Sequence, residues 1–275
     1  MKSALIEIVV TFLAAVVLVA ATLALLPGEG SWLARTGAVL QPALSGFDYS
    51  TVARDDVLPA TLRAAGLSVL VIAGTTLLLL LVGVPLGILS ALRSRDRYVQ
   101  AGRRFAVSLS SLPVIVWCTL LFVVVARAGG GILRGDSQPV AAVLAAVVSL
   151  LLGDRILSDL VQRVALRTRE VLAEPYMRTV RASGFGVVRH LVQSLIPAVG
   201  EAVAARAVFL VSGAIVAERI FEIHRLGYLV ISALVTPEQE MQLILACAMA
   251  LVAIGLALRL ASRAAALAAD PRRRA

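Results

Sequence analysis

Long apolar runs, separated by short arginine-rich stretches, leave this chain few ways to fold. A helix needs about 20 apolar residues to cross a hydrocarbon core of about 30 Å. Runs of that kind cover about 4–26, 62–92, 105–128, 139–160, 197–220 and 241–260. In lipid the backbone N–H and C=O groups must be satisfied within the segment, so each run is expected to be a helix. The expectation is an all-α, polytopic membrane protein with about six transmembrane helices. A chain that is 60% hydrophobic, with a mean hydropathy of +0.93, is neither an ordinary soluble domain nor disordered. The first run has the basic start of a secretory signal, but it is too long and further spans follow, so it reads as an uncleaved anchor.

The arginines set the orientation. Between the second and third runs lie Arg93, Arg95, Arg97, Arg103 and Arg104, and between the fourth and fifth lie Arg163, Arg167, Arg169, Arg178, Arg181 and Arg189. The tail adds Arg263 and Arg272 to Arg274. The alternate loops are sparser, with Arg35 and Arg54, then Arg127 and Arg134, then Arg219 and Arg225. The positive-inside rule places both termini in the cytoplasm and turns 27–60 outward. No internal repeat divides the chain. It reads as a single unit: 1–60 form an N-terminal anchor and external loop, 61–263 a membrane core, and 264–275 a cytoplasmic basic tail.

Several chemistries are excluded. The net charge of +9 does not imply nucleic acid, because the arginines sit between apolar runs rather than interleaved with aromatics on a polar face. Cys118 and Cys247 lie within apolar runs and read as small buried hydrophobes, not as a disulfide or metal site. With only His190 and His224 present, an HExxH zinc motif cannot form. Lys2 is the only lysine, so a GxxxxGK[ST] phosphate loop cannot exist. No cofactor is expected in this chain, and if ATP drives it, another chain binds the nucleotide.

The fourth-to-fifth connection is too long and too patterned to be a mere linker. Arg155, Asp159 and Arg163 have i, i+4 spacing, which suits an ion-paired helix leaving the membrane. Pro175 suits a first helical turn, and a short helix is expected from Tyr176 to Ser183. Gly184 can stop it, because glycine accepts positive φ at a helix C-terminus. A second short helix is expected from Phe185 to Ser194, with Pro197 at the entry to the fifth span. Such a pair makes a docking knob: Phe185, Val187 and Val188 would fill a partner's groove, and Arg178, Arg181 and Arg189 would meet its acidic rim. A basic loop lying on anionic lipid headgroups would account for the charge alone.

The wording of this stretch goes further than its charge. Residues 170–185, EVLAEPYMRTVRASGF, resemble the cytoplasmic EAA loop of the inner-membrane permease subunits of ABC importers. That pattern has an alanine-rich turn, then a glycine, then a proline thirteen residues later, as Gly184 and Pro197 stand here. The text is most similar to the peptide and nickel branch. Leu58-Pro59-Ala60-Thr61-Leu62, Gly83-Val84-Pro85-Leu86-Gly87, Gly46-Phe47-Asp48-Tyr49-Ser50 and Ala217-Glu218-Arg219-Ile220-Phe221 resemble further elements of that branch, so the likeness covers 46–262. The outer loop before LPATL resembles the first of its two permease types. Two elements depart from the pattern. His224-Arg225-Leu226-Gly227 stands where PGLG is usual, and the outer loop is short; both regions face the binding protein and the closed gate in the family.

The resemblance implies a type I ABC importer permease fold in a bacterial inner membrane. It also implies a second homologous permease, two cytoplasmic ATPase subunits that bind ATP and Mg, and an external substrate-binding protein, with di- or oligopeptides as cargo and nickel or another small solute as the alternative. The coupling residues it marks are Glu170, Tyr176, Arg178, Thr179, Arg181, Ala182, Gly184, Phe185, Arg189 and Pro197.

Charges inside the membrane are functional candidates by default. Glu201 and Arg206 fall in the fifth run, five residues apart and so on different faces. Arg206 could face a translocation pathway and meet a carboxylate. Alternatively, both could contact the partner permease or snorkel to the interface. A stand-alone secondary transporter should show paired broken spans or a repeat, and none is legible. A membrane-embedded enzyme needs convergent groups, whereas the two histidines fall on opposite sides.

Overall fold

Apolar segments that cannot pair their backbones with water fold as helices, and most of the described residues do so. The computed structural model describes residues 2–23, 25, 31–45, 47–50, 52–93, 96–128, 140–183, 187–236 and 240–269. In order come α1 (Lys2–Leu23), α2 (Trp32–Ser45), an antiparallel hairpin of β1 (Tyr49–Ser50) and β2 (Asp55–Asp56), and α3 (Val57–Leu92). Then follow α4 (Arg97–Leu109), α5 (Val114–Ala128), α6 (Val140–Leu152), α7 (Ile156–Ala173), α8 (Pro175–Ala182), α9 (Val187–Ile220), α10 (Leu226–Val235) and α11 (Met241–Ala269). Among the described residues α3, α9 and α11 are each long and apolar enough to cross a bilayer. The pairs α4/α5 and α6/α7 could each form one bent span, which makes three to five candidates.

Those bends correct the sequence reading, which treats 105–128 and 139–160 as single runs and finds no broken span. The first break follows from Pro113, which lacks an N–H and disfavours a helical residue before it. The axis turns by 94° there, and α4 becomes a separate amphipathic helix. Its N-cap Asp96 accepts the Tyr98 N–H at 2.9 Å, and it exposes Tyr98 and Phe105, as a helix lying in the membrane interface does. The second break bends α6 against α7 by 52°. Asp154 and Arg155 have φ of 51° and 61° there, a region unfavourable for side-chain-bearing residues.

The two breaks satisfy each other. Arg155 N–H donates to Ser110 C=O at 2.8 Å, and Asp154 N–H donates to Leu112 C=O at 3.2 Å. The Asp154 carboxylate accepts the Val114 N–H at 3.2 Å. Backbone freed by one interruption is thus paired with backbone freed by the other, as burial away from water requires.

Three apolar clusters succeed one another along α3. The first joins Val57 to Leu226, Leu243 and Cys247. The second joins Val71 to Cys118, Leu150 and Phe221. The third joins Leu79 to Leu160, Val164, Met177 and Leu191. Both cysteines are buried and free, in different clusters. Gly83, Pro85 and Gly87 could let a helix bend, but α3 runs through them unbroken. The glycines serve close packing instead. A Cβ on Gly83 would lie 2.7 Å from Leu160, and one on Gly87 would lie 2.6 Å from Val164. Small residues four apart let helices approach closely in membranes, where lipid is as apolar as the core. The Trp32 indole N–H of α2 donates to Ala21 C=O at 3.1 Å, which ties the start of α2 to the end of α1.

Candidate coupling site

The connection between α7 and α9 is built around one buried side chain. Glu174 ends α7 in extended conformation. Pro175 then starts α8, as proline's fixed φ and missing N–H allow. The Met177 N–H returns to Glu174 C=O at 3.0 Å, which tightens the turn. Among the described side chains of α8 only Met177 is fully buried, in the cluster with Val171, Leu191 and Leu195. Tyr176, Arg178, Thr179 and Ala182 are exposed. An isolated helix this short is unstable in water, so α8 is an exposed platform hung on Met177. The sequence reading passes over Met177. Its signal is the apolar pair Met177 and Val180 at i, i+3 in PYMRTVRA, which marks the inward face.

The stem beneath α8 is braced by charge. Glu170 accepts from the Arg167 guanidinium at 3.1 Å on the exposed face of α7. Arg169 donates to Ser90 C=O at 3.3 Å, which ties the end of α7 to the end of α3. The Ser183 hydroxyl donates to Thr179 C=O at 2.8 Å and closes the last turn of α8.

The expected helix from Tyr176 to Ser183 is present as α8, but the expected second helix is not separate. α9 starts at Val187 and runs without interruption to Ile220, with Pro197 inside it. A proline removes one helical hydrogen bond, and in membrane helices neighbours tolerate that loss. Pro197 therefore marks no boundary. Val187 packs against the protein's own third cluster rather than presenting itself to a partner. Arg181 lies on α8 and Arg189 in the first turn of α9, while Gly184 and Phe185 lie outside the described residues.

The charges inside the spans are also rearranged relative to the expected ladder. Arg155 forms the left-handed N-cap of α7, and Asp159 pairs with Arg206 of α9. The guanidinium of Arg206 also stands 5.0 Å from the Phe209 ring centroid. Arg206 is thereby committed to an α7–α9 tie, and an incoming carboxylate would have to compete with Asp159. Glu201 is exposed one turn beyond Pro197, beside a cavity of about 460 Å³ that Gly200, Ala204 and Arg263 also line.

At the other end of α9, Glu218 is 1% exposed and accepts the Gly227 N–H at 2.7 Å. Leu226 N–H donates to Ser68 Oγ of α3 at 3.3 Å. The unusual His-Arg-Leu-Gly element is thus held to the ends of α9 and α3. His190 lies in the first turn of α9 and His224 beyond its last residue, and among the described residues no group of three or more His, Cys, Asp and Glu is placed to hold a metal.

The described residues thus combine bent pairs of apolar helices with a short exposed helix between α7 and α9. No curated protein matches the chain. The family described as binding-protein-dependent transport system inner membrane component matches residues 83–275, from the Gly83–Gly87 packing site through the tail. The chain belongs to that family and is a permease component of binding-protein-dependent ABC transport.

Proposed function

We propose that this chain is one of two related permeases in a bacterial inner-membrane importer of the peptide and nickel type, with di- and oligopeptides as cargo. The reading uses six spans with both termini cytoplasmic, in the type I permease arrangement. Residues 1–60 form the anchor and outer loop, 61–263 the core and 264–275 the basic tail. Two ATPase subunits bind ATP and Mg at the cytoplasmic face, and α8, with Gly184 after it in sequence, docks on them. Closure of the ATPases draws the two permease platforms together and opens the spans outward to a loaded binding protein. Hydrolysis then resets the assembly.

The observation that carries this reading is the exposed face of α8, mounted on a single buried side chain where two membrane helices meet. Force applied at Tyr176, Arg178 and Thr179 passes through Met177 into α7 and α9, which Asp159 and Arg206 bind together. The test is the assembled importer in proteoliposomes. Arg178→Glu should release the ATPases or leave their hydrolysis without uptake, and the isolated subunit should hydrolyse no ATP. Wild-type uptake by Arg178→Glu would remove α8 from the coupling path. Uptake of nickel with no uptake of di- or tripeptides would overturn the proposed cargo.

A further inference from the structure

With 13 residues, α4 is about 20 Å long and too short to cross a bilayer. It stands at 94° to α5, which is apolar from Val114 to Ala126. A helix at a right angle to one that crosses the bilayer runs along the bilayer surface. The exposed side of α4 carries two rows. Tyr98 and Phe105 are 88% and 67% exposed, and at seven residues apart they share one face. Arg97 and Arg104 are exposed at the same spacing, roughly a quarter turn round from the rings. Val99, Ala106 and Val107, on the remaining side, are half-buried. From Arg93 to Leu112 the sequence holds five arginines and one acid, Asp96, which is spent as the N-cap. Neither Arg97 nor Arg104 is ion-paired with another described residue.

Both ends of α4 are fixed. At the first, Asp96 caps the Tyr98 N–H. At the last, the Trp117 indole N–H of α5 donates to Leu109 C=O at 3.1 Å. Beyond it, Ser110 C=O and Leu112 C=O accept the Arg155 and Asp154 N–H groups from the break between α6 and α7. The two rows are thus presented in a set direction rather than on a loose loop, and binding does not first have to order them.

We propose that this surface binds the headgroups of anionic phospholipids, with the rings toward the acyl chains and the arginines on the phosphates. Amphipathic helices with aromatic and basic faces lie in the bilayer interface in this way, and aromatic rings settle at headgroup depth. Guanidinium groups take phosphate oxygens in charge-assisted pairs, and each basic side chain near an anionic surface adds attraction. An acidic protein partner would answer the arginines but gives the rings no reason to stand a quarter turn away from them. A bilayer surface offers a charged layer over an apolar one, which matches two adjacent rows.

The test is hydrogen exchange on the full chain in nanodiscs of phosphatidylglycerol and of phosphatidylcholine. α4 should exchange more slowly in phosphatidylglycerol. One basic side chain near an anionic surface accounts for about fivefold, so two arginines give roughly twenty-five-fold. Arg97→Gln with Arg104→Gln should remove most of that difference, and added salt should shrink it. The double change to lysine keeps the charge and should keep most of the difference, which separates lost attraction from lost folding. Phe105→Ala should speed exchange in both lipids, because burial of the ring does not depend on headgroup charge. Arg127→Gln, at the end of α5, should leave the difference unchanged. Equal exchange in the two lipids, or an equal loss with Arg127→Gln, would overturn the proposal. So would a preference that survives both changes to glutamine. Protection of α4 that appears only when ATPase subunits are added would give the surface to a protein partner and overturn it too. The lipid comparison contains neither ATPase nor cargo, so its failure leaves the coupling role of α8 standing, and the reverse holds as well.

Discussion

Replacing Met177 by alanine should detach α8 while leaving the spans in place. The side chain is 0% exposed and packs with Val171, Leu191 and Leu195. Truncating a buried methionine to alanine costs about 2–5 kcal/mol, less where the site can collapse. α8 is short and exposed on its other faces, so the lower part of that range applies, about 2–3 kcal/mol. Among the described residues the helix is also held by a half-buried Val180 and the turn bond from Met177 N–H to Glu174 C=O. A change of about 2 kcal/mol shifts the docked-to-undocked ratio roughly thirtyfold. Hydrogen exchange should therefore quicken by about that factor over 175–182 and stay unchanged in α3 and α11. In the assembled importer, ATP hydrolysis should continue with uptake lost, or the ATPases should dissociate. Met177→Leu conserves volume and should lose less than about 1.5 kcal/mol. Tyr176→Ala removes an exposed ring and should leave exchange unaltered while weakening ATPase association. Unchanged exchange over α8 in Met177→Ala would refute the claim that this side chain holds the platform.

Three other outcomes follow from the packing. Gly87→Leu drives a side chain into Val164 and the Val161 carbonyl and should lower the melting temperature by an amount equivalent to about 1–3 kcal/mol. Gly66→Ala, with open space around it, should raise it through helix propensity, by about 0.5–1 kcal/mol. Asp159→Ala or Arg206→Ala alone should destabilise by about 1–3 kcal/mol, between the exposed and buried limits for an ion pair. The double change to leucine should recover much of that loss, and strictly additive losses in the melts would show no coupling. For topology, a cysteine at Asp56 should react with impermeant reagents in intact cells and one at Ser183 should not, with the reverse pattern inverting the orientation. Ser50, which faces the same side as Asp56, is 2% exposed and would be shielded whatever its side.

Membrane residence, the helical class and the existence of α8 were legible because each rests on local composition. Uninterrupted apolar runs have only one backbone solution in lipid, and Pro175 announces a helix start wherever it stands. The break at 110–113 carried a local cue in Pro113, which a window of hydropathy averages away. The break at 153–155 carried almost none. Asp154 and Arg155 hold left-handed backbone because Ser110 and Leu112 accept their N–H groups, a partnership some forty residues distant in the chain. Pro197 misled in the opposite sense, since neighbours absorb an interruption that would end an exposed helix.

The candidate site divides along the same line. Sequence by itself determined that Tyr176, Arg178 and Thr179 lie on a short polar helix between spans, because charge and proline act where they are. Tertiary structure alone decided that Met177 is the mount, and that Val187 turns inward to the third cluster. It also decided that Asp159 answers Arg206 across two helices instead of Arg155 and Arg163 along one. Spacing reports which residues share a face of a helix. Which of those faces meets another helix depends on how closely and at what angle the helices cross, and here Gly83 and Gly87 leave room for Leu160 and Val164 where α3 meets α7.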